Sequence, residues 1–185
     1  MSAAGTGLAG KAAAIRMILL DVDGVLTDGG IIYESADAGE GAELKRFDIQ
    51  DGMGVTLAIR AGLQVGILTG RSSGVVARRA QELKMSVVKQ GFHDKLAGWK
   101  EVLAETGLEP RQIAYIGDDV QDLPVLWRAG ISAAPANAVS DVRDQVDYVC
   151  RASGGRGAVR ELIDLLLETR GIKDEVIASI TGSKP

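Results

Sequence analysis

Apolar residues in this chain follow two alternating patterns. Short unbroken runs, Met17-Ile18-Leu19-Leu20, Val65-Gly66-Ile67-Leu68, Ile113-Ala114-Tyr115-Ile116 and Ile131 to Ala134, are separated by stretches in which apolar positions recur every three or four residues. An unbroken run too short for a helix predicts a strand covered on both faces, and the three-to-four spacing predicts amphipathic helices. Strand one is expected over 15–21, a short third strand over Ser86 to Val88, and a last one at Tyr148-Val149. Asp51 is positioned to cap a helix running to about Ala61 with Gly62 as its stop, and Ser73 to cap one whose Val76, Ala80 and Leu83 share a face. Leu96, Trp99, Val102 and Leu103 form the stripe of the next helix. A shorter helix fits about 120–128, where Pro124 is tolerable only near the first turn, and Val159, Leu162, Ile163 and Leu166 mark the final one. Strands alternating with helices predict right-handed crossovers: an α/β fold, a doubly wound parallel sheet in a single domain over 1–185.

One region breaks the rhythm. Across about 29–47, Ile31-Ile32-Tyr33 and Leu44-Lys45-Arg46-Phe47 flank the polar stretch Ser35 to Gly41, which predicts an inserted β-hairpin. It is either a surface flap without a role or, given the apolar cost of exposing Tyr33, Leu44 and Phe47, a lid or subunit contact. The termini, about 1–10 and 173–185, are expected to be flexible, with a short helical lead-in at about 8–14.

Composition narrows the chemistry. With 185 residues, 46% of them hydrophobic, the chain can bury one sizeable core without disulfides or metal staples. A net charge of −4 argues against a nucleic-acid or anionic-membrane partner. The lone cysteine, Cys150, forms no intramolecular disulfide and reads as a buried inert thiol; the lone histidine, His93, argues against a multi-histidine metal site or a Ser-His-Asp triad. No apolar run reaches a membrane-spanning length and the first residues lack the pattern of a signal peptide, so the expected location is cytoplasmic.

The candidate chemistry collects where predicted strands end. The first strand stops on Asp21, followed by Asp23 and Gly24; the second ends at Thr69-Gly70-Arg71; Lys95 lies beyond the third; the fourth ends at Gly117-Asp118-Asp119. Each alone has a plain structural explanation: a turn for Asp-Gly, a turn for Thr69-Gly70, a solvated first-turn lysine, a capped loop. In a doubly wound sheet, however, these strand ends share one mouth, where ligands bind. Two like charges at Asp21 and Asp23 call for a divalent cation, and acids, a hydroxyl, a glycine amide and an ammonium together suit phosphoryl transfer. In that chemistry Asp21 attacks phosphorus, Mg2+ joins Asp21 and Asp118 to the phosphate, Thr69, Gly70 and Lys95 hold its oxygens, and Asp23 serves as acid and then base.

The string DVDGVLTDG, with ILTGR, QG-x-x-DK and YIGDDVQDLPV in order, resembles the motif set of the haloacid dehalogenase superfamily from about Ile15 to Ile172. With GEGAELKRFDIQDGMGV and SGGRGAVRE added, it is similar to that superfamily's phosphatases of 3-deoxy-D-manno-octulosonate 8-phosphate; relatives acting on nonulosonate (sialic-acid-type) 9-phosphates are the alternative. The resemblance implies Asp21 as nucleophile, Asp23 as acid/base with its carbonyl toward the metal, Asp118 as metal ligand and Asp119 or Asp122 in support. It implies Mg2+ as cofactor, no large cap domain, and a homotetramer with shared active sites in which hairpins pack together. Arg71 suits the carboxylate of a sugar acid, and arginine there leans toward the octulosonate. Arg156, set among the glycines of Ser153-Gly154-Gly155-Arg156-Gly157, is either solvated or reaches a neighbouring subunit's substrate. Ser72-Ser73-Gly74 and Phe92-His93 depart from relatives near the expected sugar pocket, with His93 read as a neutral surface residue. Two rivals remain: a receiver-like phosphoacceptor, for which the third strand's end, Val87-Val88-Lys89-Gln90, lacks the acid, and an idle assembly domain, which the intact acid set opposes.

Overall fold

Strand β1 (Met17–Leu20) is fully buried, and its side chains alternate between two cores. Ile18 and Leu20 enter one hydrophobic cluster, Met17 and Leu19 the other. That alternation is the physical content of an all-apolar strand, since both faces of the sheet are covered. A computed structural model of the chain describes residues 3–33 and 43–182. In it β1 pairs in parallel with β4 (Gln64–Leu68) on one side and β6 (Ile113–Ile116) on the other. Beyond them lie β5 (Val87–Lys89), β7 (Ile131–Ala134) and β8 (Tyr148–Val149), giving a six-stranded parallel sheet of order β5-β4-β1-β6-β7-β8.

One face is covered by α1 (Ala3–Ala14), α2 (Ile49–Arg60), α3 (Gly74–Glu82), α7 (Ala158–Thr169) and α8 (Lys173–Thr181). The other is covered by α4 (Lys95–Thr106), α5 (Leu123–Leu126) and α6 (Ser140–Arg143), with Trp99, Val102, Val125 and Leu126 in its core. The predicted doubly wound α/β architecture is therefore the observed one. Ser73 caps α3 through Val76 N, as expected, and Pro124 sits in the first turn of α5.

Helices cover Ala3–Ala14, which includes the lead-in expected at about 8–14, and Lys173–Thr181, whose Val176 is buried in the core beside α7. Two expectations are corrected. The cap of α2 is Asp48, whose carboxylate accepts from Gln50 N, while Asp51 lies inside the helix and serves a different one. The segment 120–128 begins as a 3-10 turn over Val120–Asp122 before α5, because Asp119 and Asp122 take up its first amides.

The insertion forms an antiparallel ladder of β2 (Ile32–Tyr33) and β3 (Glu43–Leu44), with Ile32 opposite Leu44. The polar stretch Ser35 to Gly41 lies outside the described residues. An isolated antiparallel bridge between Thr27 and Phe47 lays the returning arm beside the loop that follows β1. The sheet order reverses at β1, so β4 and β6 flank it and the carboxyl ends of these three strands share one crevice.

Candidate active site

At the end of β1, Asp21 is 2% exposed, and its backbone amide donates to Ile116 O of β6 at 3.0 Å. Lys95, the first residue of α4, is driven into the same space with its side chain fully buried. Its ammonium lies 2.7 Å from Asp21 Oδ1 and 2.5 Å from Asp122 Oδ1. Asp94 caps α4, accepting from Leu96 N and Ala97 N, and so fixes the turn that aims Lys95 inward. Burial opposes the Lys95 charge, but Asp21 and Asp122 outweigh it and hold the ammonium above its ordinary range.

Asp122 is fully buried and saturated. Oδ1 accepts from Lys95 Nζ and from the Tyr115 hydroxyl, and Oδ2 accepts from the amides of Asp118 and Asp119 at 3.1 and 3.3 Å. It braces the loop after β6 and orients Lys95. Asp119 is exposed and caps the following turn through Val120 N, so it is Asp122, not Asp119, that joins the cluster.

Carboxylate oxygens of Asp21, Asp118 and Asp122 all lie within 4.8 Å of one another. Burial, with repulsion from Asp122, raises Asp21 to about 6; burial, with repulsion from Asp21 and Asp122, raises Asp118 to about 8. With all three acids ionised, three carboxylates less one ammonium leave two negative charges, which a divalent cation would balance. Asp122 has spent its lone pairs on four donors, so Asp21 and Asp118 are the acids that fit an oxygen-seeking ion such as Mg2+. Gly24 makes this approach possible. At φ +87°, a Cβ there would lie 2.0 Å from Asp118 Oδ2.

Thr69 is buried at the end of β4, its backbone held by Lys89 O and Phe92 N, and Gly70 follows it, also buried. A Cβ on Gly70 would meet Gln121 Oε1 at 3.6 Å and His93 Nδ1 at 3.9 Å, so the exposed His93 stands at the rim of this loop. Arg71, 40% exposed, has Nε 3.7 Å from Asp23 Oδ2 and a terminal nitrogen 3.5 Å from Glu43 of the hairpin. Asp23 is partly exposed and pairs with Lys45 on the returning arm of the hairpin. Arg156 is exposed, but its neighbours are not: Gly154 and Gly155 press onto the loop after β1, Gly155 N donating to Val25 O at 2.9 Å. Asn137 accepts from Gly154 N at 2.7 Å, and Asp51 accepts from Gly157 N and Arg160 N at the start of α7. The segment carrying Arg156 is thus fastened beside the mouth from both ends.

Residues 77–162 match the profile of haloacid dehalogenase-like hydrolases. The 3-deoxy-D-manno-octulosonate 8-phosphate phosphatase KdsC of Escherichia coli K12 is 42% identical over 165 residues, spanning 89% of this chain and 86% of that protein. The chain belongs to this phosphatase family. The octulosonate 8-phosphate phosphatase of Moraxella catarrhalis, solved with a magnesium ion, a phosphate ion and a KDO molecule, superposes with a TM-score of 0.88 at 40% identity, covering 94% of this chain and 98% of that one. A haloacid dehalogenase superfamily hydrolase of Legionella pneumophila reaches a TM-score of 0.91 at 37% identity, covering 97% of each chain.

Of the residues expected from the sequence of this family member, Asp21, Lys95, Asp118 and Asp122 come together directly, with Thr69 and Gly70 at the end of the adjacent strand. Asp23 and Arg71 form a second group with the hairpin. Sequence reasoning missed Tyr115, Lys45 and Glu43. A tyrosine in a fully buried strand requires a partner for its hydroxyl, and a lysine between Leu44 and Phe47 in a strand-like run is out of place on a solvated flap; both were usable signals.

Proposed function

We propose that the chain hydrolyses 3-deoxy-D-manno-octulosonate 8-phosphate to the free sugar acid and phosphate, with Mg2+ held by Asp21, the Asp23 carbonyl and Asp118. The observation that carries this reading is the compact cluster of Asp21, Asp118, Asp122 and Lys95 at the switch point of the sheet, in a chain so similar to octulosonate 8-phosphate phosphatases. The bound ion supplies neutralising charge between an anionic nucleophile and an anionic phosphate.

The protein's own groups do the rest. A carboxylate oxygen of Asp21 attacks phosphorus, forming an aspartyl-phosphate as the ester P–O bond breaks, and Asp23, carrying a proton taken up as substrate binds, gives it to the departing alkoxide. Asp23, now a carboxylate, takes a proton from water, whose oxygen attacks the phosphorus and releases Asp21. Thr69 hydroxyl, Gly70 amide and Lys95 ammonium hold the phosphoryl oxygens. Lys95 suits this task because Asp122 fixes its position before substrate arrives. Asp119 supports the loop by capping the turn behind Asp118. Arg71 and Arg156 face the sugar-acid carboxylate, Arg156 from a neighbouring subunit.

A homotetramer with hairpins packed together is part of this reading. Ile31, Ile32, Leu44 and Ile49 are half or more exposed around the hairpin, a patch that association would cover. The proposed setting is a cytoplasmic step of lipopolysaccharide precursor synthesis; no helix among the described residues is long and apolar enough to cross a membrane. The test is phosphate release with Mg2+ from a panel of sugar phosphates, with light scattering for the assembly. The octulosonate 8-phosphate should lead hexose phosphates by a wide margin in kcat/KM. A preference for a nonulosonate 9-phosphate would move the protein to the neighbouring substrate.

A further inference from the structure

Lys45 leaves the hairpin with its side chain only 2% exposed, although the hairpin strand it follows is itself on the surface. A lysine withdrawn from water needs its charge answered nearby. Here the answer is Asp23, in direct contact through Oδ1, with Glu43 Oε1 at 3.6 Å. Arg71 approaches the other oxygen of Asp23, at 3.7 Å, and Glu43, at 3.5 Å. Two cations and two carboxylates therefore close on one another, and three of the four come from outside the loop that follows β1. Glu43 is further held by a hydrogen bond from Ser73, which opposes the cost of its burial and with Lys45 and Arg71 keeps its carboxyl below the usual range.

The register of the hairpin explains why Lys45 arrives there. The Thr27–Phe47 bridge sets the arm antiparallel to the loop after β1, which places Arg46 opposite Asp28, where they pair at 2.9 Å. Lys45, one residue earlier, lies on the other side of the arm and reaches inward to Asp23. Asp21 takes its cation from Lys95 at the start of α4; Asp23 takes its cations from the hairpin arm and the loop after β4.

We infer that Lys45 is a positioning residue for the reaction: it orients the Asp23 carboxyl toward the leaving-group side, so the acid/base arm is in place only when the hairpin is docked. This rests on the assignment of Asp23 as acid/base in the proposed function. Lys45 makes no bond in the reaction and gives up no proton; its effect passes through the direction of the Asp23 side chain.

The consequence is a dependence on the leaving group. A sugar alkoxide needs a proton as it departs, whereas p-nitrophenolate does not. The experiment is rapid-quench measurement of first-turnover leaving-group release with Mg2+, using the sugar-acid phosphate and p-nitrophenyl phosphate, on Lys45→Met, Lys45→Arg, Asp23→Asn and Lys45→Met/Asp23→Asn. Lys45→Met should slow release of the sugar by about 10- to 100-fold and of p-nitrophenolate by less than about 3-fold, a share of the roughly 100-fold or greater loss expected of Asp23→Asn on the sugar. Lys45→Arg should recover part of the loss, and the double variant should be no slower than Asp23→Asn alone. Equal losses on both substrates in Lys45→Met and Lys45→Arg, or losses that multiply in the double variant, would overturn the inference while leaving Asp23 in its role. Equal losses on both substrates in Asp23→Asn would instead remove the acid/base reading and this inference with it.

Discussion

Magnesium binding should expel close to one proton at neutral pH. The perturbation is the arrival of a divalent cation between two acids whose burial and mutual repulsion raise them, Asp21 to about 6 and Asp118 to about 8. At pH 7 a group titrating at about 8 is roughly nine-tenths protonated and one at about 6 roughly one-tenth, so the metal-free pair holds about one proton. The ion requires carboxylates, and that proton must leave. At pH 9 the pair holds only about 0.1 proton and the release should nearly vanish. The same competition makes affinity rise roughly 6-fold from pH 7 to pH 8 and less than about 2-fold from pH 8 to pH 9. Acids raised in the fold favour the folded metal-free state at low pH, and that contribution is lost as pH rises from about 4 through 8, so Mg2+ should raise Tm more at pH 8 than at pH 5.5. Titration calorimetry in HEPES, MOPS and Tris at pH 7, whose ionisation heats differ, measures the proton count directly. Release below about 0.2 proton at pH 7, with one affinity at pH 7 and pH 8, would refute the argument.

The remaining expectations concern single side chains. Asp21→Asn should abolish phosphate release with little loss of fold, because an amide is a far poorer nucleophile; turnover above a small fraction of the parent's, with an unchanged Tm, would remove the covalent step. Gly24→Ala places a methyl on Asp118 Oδ2 at a positive φ, and should weaken Mg2+ binding at least about 10-fold by calorimetry while costing about 1–2 kcal/mol in denaturant unfolding. Asp51→Ala leaves Gly157 N and Arg160 N without their acceptor, about 1–3 kcal/mol of stability by chemical denaturation, and should raise KM by loosening the Arg156 segment. Arg156→Ala should raise KM for the sugar-acid phosphate far more than for p-nitrophenyl phosphate; mixing it with Asp21→Asn subunits should restore some activity, and equal losses on both substrates would reject a shared site.

Much of the catalytic end of this protein is local in sequence. Each strand is a short apolar run that stops on the residue it presents, so Asp21, Thr69 and Asp118 are legible as strand ends, and the parallel topology brings strand ends together without further information. Ser73 as a helix cap is likewise a three-residue matter. What the chain order hides is which of several equivalent groups a distant element will claim. Asp48 and Asp51 both suit the start of α2; only the packing of α2 against α7 turns Asp51 onto Gly157 and Arg160, more than a hundred residues away. Asp119 and Asp122 are equivalent in the sequence, but Lys95 and Tyr115 converge on Asp122 from α4 and β6. The terminal helices bury Ala12 and Val176 in the core, contacts that spacing along one helix does not reveal. The pairing of Lys45 with Asp23 depends on the register of a hairpin against a loop, and register is set by burial across strands rather than by spacing along one. Local sequence determines which chemical groups stand at the mouth of the sheet; tertiary structure decides how those groups are charged, braced and aimed, because burial and partner identity are properties of the folded neighbourhood.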